Sequence, residues 1–270
     1  SLHLGIPLHV TGGMRPRNQI ALLAEFAVTI LYITPTQLRL LTSSGQRLPD
    51  VRLILCGGGK LDTKTRQRAM ECFPSAQIHE FYGASETSFI TLADDQTPEG
   101  SVGKAYPGVR IDIRHPRDGA GEVWVSSPYL FDGYAAGGSA ETRIDGDFIT
   151  IGELGWLDEQ GYLWLAGRRS RMVTIADQNV FPEAAEAIIS QRLEQGAVAV
   201  IACADPLRGH VLHAFIQGQA DPLLEKQLRA DISQQLGKER VPRWFHFIAD
   251  FPLLSGGKPD LQRLEASLNT

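Results

Sequence analysis

The chain has 270 residues, 43% of them hydrophobic and 21% charged, with a formal net charge of -5. This is the composition of a soluble globular protein with room for one large domain or two smaller ones, and the lack of a basic excess argues against a nucleic-acid partner. Three widely spaced cysteines, Cys56, Cys72 and Cys203, suit reduced thiols in a cytoplasmic protein better than a disulfide framework or a metal cage. The longest apolar stretch, residues 20–33, is interrupted by Glu25 and is too short to span a bilayer. The first residues lack the charged start of a signal peptide. The chain opens in mid-pattern without methionine, so a piece of a longer protein is expected.

Taken in order, Ile20, Leu22, Leu23 and Phe26 have helical spacing. The β-branched run from Val28 to Ile33 predicts a buried strand. A helix follows over 37–41, with Thr34 or Thr36 as its cap. Val51 to Cys56 reads as a second strand running into Gly57-Gly58-Gly59, Leu61 to Phe73 as a helix with Asp62 near its start, and Ile78 to Tyr82 as a third strand entering Gly83. Strand, glycine loop, helix, strand is the signature of a parallel α/β sheet, whose ligands sit at the C-terminal strand ends.

From Gly100 short alternating runs between glycines predict a small β-rich subdomain, in which Val123, Val125, Leu163 and Leu165 share one face. After Arg168 comes a compact α+β unit in the order α-β-β-α-β: helix 182–195, strands 197–203 and 211–217, helix 222–236 and strand 243–249. The fold class expected is thus α/β and α+β, a partial parallel-sheet segment over 1–100, a β-rich segment over 101–168 and an α+β lid over 169–270. No internal repeat or low-complexity tract appears.

Four segments carry chemistry. In Phe81-Tyr82-Gly83-Ala84-Ser85-Glu86, backbone N–H groups and the Ser85 hydroxyl suit a phosphate, and Glu86 suits a divalent cation beside it; the alternative is a surface turn. Gly57, Gly58 and Gly59 let a flat base approach the backbone. Glu153, after Gly152, can accept hydrogen bonds from both hydroxyls of a ribose, with Arg168 as a further donor to sugar or phosphate. Lys258, within Ser255-Gly256-Gly257-Lys258-Pro259-Asp260, suits neutralisation of phosphate charge from a mobile loop, although most lysines are simply exposed. The seven histidines have no metal spacing; His210 and His213 read as structural, and His79 can face either way.

In this order the segments resemble the adenylate-forming superfamily of acyl-CoA synthetases, peptide-synthetase adenylation domains and luciferases. Tyr82-Gly83-Ala84-Ser85-Glu86 is similar to its Tyr-Gly-x-Thr/Ser-Glu motif. Gly121-Glu122-Val123-Trp124-Val125 with Gly133-Tyr134, Ile151-Gly152-Glu153-Leu154-Gly155, Gly167-Arg168 with Asn179-Val180-Phe181-Pro182, and Pro252 to Lys258 resemble its later motifs. The resemblance implies ATP or AMP and magnesium as ligands and CoA as a co-substrate. Gly57 to Lys60, Phe81, Tyr82 and Gly83 would lie around the adenine, Ser85 and Glu86 at the α-phosphate and magnesium, Glu153 at the ribose and Arg168 at ribose or phosphate. Ser170 would be the hinge and Lys258 the catalytic lysine.

The activity so implied is an AMP-forming acid–thiol ligase acting on a carboxylic acid, with CoA or a carrier-protein thiol as acceptor. The sequence departs from the family at Ile151, Glu153 and Ser170, and at Ala176-Asp177-Gln178, which stands where many CoA ligases have a glycine-rich turn. The family's phosphate-binding loop, which lies upstream of these motifs, is not in the chain, so the missing N-terminal portion is an expected partner and the chain alone is expected to be inactive. The competing reading is a non-catalytic nucleotide-binding or interaction module derived from the same fold.

Overall fold

The computed structural model describes residues 5–11, 13–59, 61–117, 119–176, 178–193, 196–254 and 257–269. They form two compact units, Ser1–Glu80 and Phe81–Thr270.

In the first unit, helix α1 (Pro16–Glu25) opens on a proline, whose missing N–H would have had no helical partner. The strand expected from Val28 begins only at β1 (Ile30–Ile33). Ala27 takes a left-handed φ of 45° and the Val28 N–H turns back to the Leu23 carbonyl, so two residues go to ending the helix. Thr34 and Gln37 exchange bonds in a capping box at the start of α2 (Pro35–Thr42). Strand β2 (Leu53–Gly57) lies parallel to β1, with Ile30 opposite Leu53 and Ile33 opposite Cys56. Asp62 caps α3 (Thr63–Cys72) through the Thr65 N–H at 2.8 Å and pairs with Arg39 at 2.7 Å. Strand β3 (Gln77–Ala84) begins beside β2, giving the order β1-β2-β3. Leu31, Leu38, Ile54, Cys56, Phe73 and Ile78 build the core. Burial, then the charge of Glu80, pushes the Cys56 thiol up to about 12.

The second unit opens with the end of β3, then β4 (Ser88–Ala93), which pairs with β5 (Lys104–Ala105). An antiparallel sheet follows, of β6 (Arg110–Arg117), β7 (Ala120–Ser126), β8 (Arg143–Asp145), β9 (Phe148–Thr150), β10 (Glu153–Leu157) and β11 (Leu163–Arg168). Its centre is β7, which touches β6, β9 and β10. Val123, Val125 and Leu163 are buried with Ile90, and Leu165 packs at the margin, as the alternation predicts.

A 3-10 turn, Arg169–Arg171, leads to the hairpin β12 (Val173–Ile175) and β13 (Gln178–Val180). Then come α4 (Pro182–Arg192), β14 (Val198–Asp205), β15 (Gly209–Gln217), α5 (Pro222–Leu236) and β16 (Trp244–Ile248), the expected order. Glu194 and Gln195, at the end of the expected first helix, lie outside the described residues. Strand β15 is antiparallel to β14 and parallel to β16. Alternation splits the faces: Val200, Leu212, Ala214 and Ile216 pack with Ile188, Leu228 and Ile232, while Ala199, Ile201 and Phe215 pack with Phe251 and Leu264. Leu264 lies on α6 (Leu261–Ala266), a helix too short to show a period in the sequence. No helix among the described residues is long and apolar enough to cross a membrane.

Candidate active site

The chemistry-bearing segment after Tyr82 is the tip of the β3–β4 hairpin, with β3 continuing through Gly83 and Ala84 and a turn at 85–87. Gly83 is required by close packing: a Cβ there would sit 1.9 Å from the Ser88 carbonyl oxygen. Thr87, fully buried, ties the turn by accepting the Ala84 N–H at 3.1 Å. Ser85 is left exposed, and Glu86 accepts the Tyr134 hydroxyl on Oε1 at 2.7 Å. Phe81, half-buried, meets the ring of Phe89 edge-on at 4.9 Å.

A second group gathers Tyr82, Glu153, Arg168 and Lys258. Glu153 and Arg168 face each other across β10 and β11, and Arg168 Nε donates to Glu153 Oε1 at 3.0 Å. Glu153 is only 7% exposed. Burial raises its pKa above the usual carboxylate range, against the pull of Arg168 and, more weakly, of Lys258. The Tyr82 hydroxyl is enclosed without a hydrogen-bond partner among the described residues. Burial raises its pKa well above the ordinary value, Glu153 adds to this and Arg168 opposes it. Lys258 itself is exposed. The base of its loop is closed by Leu254 N–H to the Lys258 carbonyl at 2.8 Å and Asp260 N–H to the Pro252 carbonyl at 3.0 Å, and Asp260 then caps α6. Ser255 and Gly256, in the same predicted loop, lie outside the described residues.

Ser170 sits exposed between two fastened arginines. Arg169 reaches Glu122 at 2.7 Å and Glu141 at 3.1 Å, and its N–H meets the Gly152 carbonyl at 2.8 Å. Arg171 reaches Glu186 at 2.7 Å, Glu183 at 3.4 Å and the Val200 carbonyl at 2.8 Å. One clamp therefore holds the β-sheet side and the other holds α4 and β14, with Ser170 between them. Glu122 also accepts Arg143 at 2.5 Å. Burial would raise its pKa, but Arg143, Trp124 and Arg169 bring it below the usual carboxylate range.

Gly57, Gly58 and Gly59 belong to the first unit, where Gly57 ends β2 and Gly58 has a φ of 83°; Lys60 lies outside the described residues. Ala176, with a φ of 47°, turns the β12–β13 hairpin, and Asp177 is also outside. His213, read as structural, hydrogen-bonds His246 at 3.0 Å; His79 is half-buried, with Nδ1 enclosed. Sequence reasoning gave no role to Tyr134, Glu122, Arg143 or Glu183; Gly133-Tyr134 and Gly121-Glu122 were visible as motif pieces, but their partners were not.

The residues fit a nucleotide and one magnesium ion. The unpartnered Tyr82 hydroxyl and the Glu153 Oε2, which has no hydrogen bond among the described residues, match the donors and acceptors of a sugar diol. No cluster of three or more metal-ligating side chains occurs among the described residues. Glu86 offers a single carboxylate, which suits magnesium, an ion that keeps waters and phosphate oxygens rather than taking an all-protein cage.

The family profile described as AMP-binding enzyme matches residues 1–135. The chain is 27% identical over 269 residues to the uncharacterized acyl–CoA ligase YhfT of Bacillus subtilis, covering 96% of this chain and 54% of that protein. It is 28% identical to 2-succinylbenzoate–CoA ligase of Lactococcus lactis, covering 86% and 50%. Among solved structures it matches the amide bond synthetase McbA of Marinactinospora thermotolerans at a TM-score of 0.81 and 25% identity, over 94% of this chain and 56% of that one. The chain belongs to the AMP-binding enzyme family of adenylate-forming proteins. It spans about half the length of the curated relatives it matches.

Proposed function

We propose that this chain is the distal part of an AMP-forming acid–thiol ligase. One observation supports the reading: Arg168 Nε donates at 3.0 Å to the buried Glu153 carboxylate across β10 and β11. In the reaction a carboxylate oxygen attacks the α-phosphorus of ATP, the bond to pyrophosphate breaks, and an acyl-adenylate forms. A thiol sulfur then attacks the acyl carbon and AMP leaves. Glu153 holds the ribose hydroxyls, Arg168 orients Glu153 and donates to sugar or phosphate, and Lys258 offsets the negative charge gathering at phosphorus. Ser85 donates to the α-phosphate and Glu86 holds the cation. Magnesium, when bound, neutralises charge on the phosphate oxygens. The lid, residues 169–270, turns about Ser170 between the two steps. Phe81 and Gly83 line the adenine in this reading.

The names of the CoA-ligase relatives support a CoA thiol as acceptor, and a carrier-protein thiol has the same chemistry. The likeness to an amide bond synthetase makes an amine acceptor the competing outcome. The test is ATP–pyrophosphate exchange with a panel of carboxylic acids, using the longest polypeptide that encodes this chain, followed by trapping of the acyl group with CoA or an amine. Lys258→Ala should lower exchange by about 10²–10³-fold without changing the thermal midpoint. Unchanged exchange in that variant removes Lys258 from the chemistry, and no exchange with any acid favours a non-catalytic nucleotide-binding module.

A further inference from the structure

We propose that Tyr134 is a positioning residue for the Glu86 carboxylate, holding Oε1 so that Oε2 is the oxygen left for a divalent cation. The proposal rests on the ligase reading of Glu86. Tyr134 lies in the connection between β7 and β8, 48 residues from Glu86, and its hydroxyl is 2.7 Å from Glu86 Oε1 and 2.8 Å from Thr142 Oγ1. An ionised carboxylate only accepts, so the one phenolic proton goes to Glu86. The Thr142 hydroxyl must then donate to the Tyr134 oxygen, and the two bonds polarise each other in one direction.

The same connection also grips the main chain of Glu86. The Phe131 N–H donates to the Glu86 carbonyl at 3.0 Å, and the Phe131 ring lies edge-on to Tyr134 at 4.9 Å. Glu86 stands on a hairpin turn, where a free side chain would sample several rotamers. Tyr134 is 41% exposed, so its bond adds little to folding. What it supplies is direction: one carboxylate oxygen is occupied, and the other has no hydrogen bond among the described residues.

The experiment titrates Mn²⁺ into the longest polypeptide encoding this chain, with ATP present and no acid, and reads bound Mn²⁺ by electron paramagnetic resonance. Tyr134→Phe keeps the ring and should weaken Mn²⁺ binding about three- to tenfold, with an unchanged thermal midpoint. Thr142→Val should act in the same direction and less. Glu86→Gln should weaken binding more than either, and Tyr134→Phe added to Glu86→Gln should have no further effect. Wild-type Mn²⁺ affinity in Tyr134→Phe together with loss in Glu86→Gln overturns the proposal and leaves the reading of Glu86 standing. Wild-type affinity in Glu86→Gln removes the reading of Glu86, and the proposal with it. An added loss in the double variant assigns Tyr134 an effect independent of Glu86 and also overturns the proposal.

Discussion

Glu122→Ala isolates the clamp beside Ser170. The Glu122 side chain is 11% exposed and accepts three donors: Arg143 at 2.5 Å, Arg169 at 2.7 Å and the Trp124 indole at 3.3 Å. Removing one partner of a buried ion pair costs about 3–5 kcal/mol, because the charge left behind is uncompensated. Here the arginines are 40% and 34% exposed, so water recovers part of that, and Arg169 keeps Glu141. A loss of about 2–3 kcal/mol is therefore expected, or a fall in melting temperature of about 5–10 °C. Urea denaturation of the chain at neutral pH measures it. The carboxyl is held below its ordinary range in the fold. Its contribution is thus complete above the unfolded-state pKa and is lost as pH falls through the lowered folded value, so Glu122→Ala should also show a shallower acid limb than wild type. With Arg169 held by Glu141 alone among its side-chain partners, trypsin should cut faster after Arg169. A stability loss under about 0.5 kcal/mol, with unchanged cleavage, would refute the clamp.

Gly83→Ala places a methyl 1.9 Å from the Ser88 carbonyl oxygen, a backbone atom that cannot swing aside, so a loss of about 3 kcal/mol or more is expected by the same denaturation; a fully stable variant would show that the hairpin relaxes freely. Cys56, fully buried with its thiol near 12, should resist thiol reagents at pH 8 until the first unit unfolds, and fast native-state labelling at that position would contradict its burial. His213 and His246 share a 3.0 Å hydrogen bond in nearly parallel rings, and burial lowers both pKa values, with His246 and then Arg243 adding to the effect at His213. Their contribution is present above the unfolded histidine pKa of about 6.5 and is lost as pH falls toward the lowered folded values. His246→Asn should flatten that limb of the stability curve, and an unchanged limb would assign it to other groups.

The parallel pairing of β1 with β2, the shared face of Val123, Val125 and Leu163, and the α-β-β-α-β order from Pro182 onward were legible because each rests on local periodicity. Boundaries were less so. The start of β1 moved to Ile30 because the Val28 N–H closes α1, and α6 carries too few residues to show a period. Strands β8 and β9 escaped because three residues each are too few to show an alternation.

The sequence by itself determined the motif order, and with it the family and the identity of Glu86, Glu153, Arg168 and Lys258 as the groups to watch. Residue types and short spacings are local properties, and a chain written in order displays them. Only the tertiary structure decided who meets whom. It put Lys258 within electrostatic reach of Glu153, sealed the Tyr82 hydroxyl beside that carboxylate, and gave Glu86 a tyrosine 48 residues away. It also fastened Arg169 to Glu122 from 47 residues away, on the opposite side of Ser170 from the Arg171 clamp. Such pairings depend on strand register and the path of loops, which side-chain periodicity does not encode.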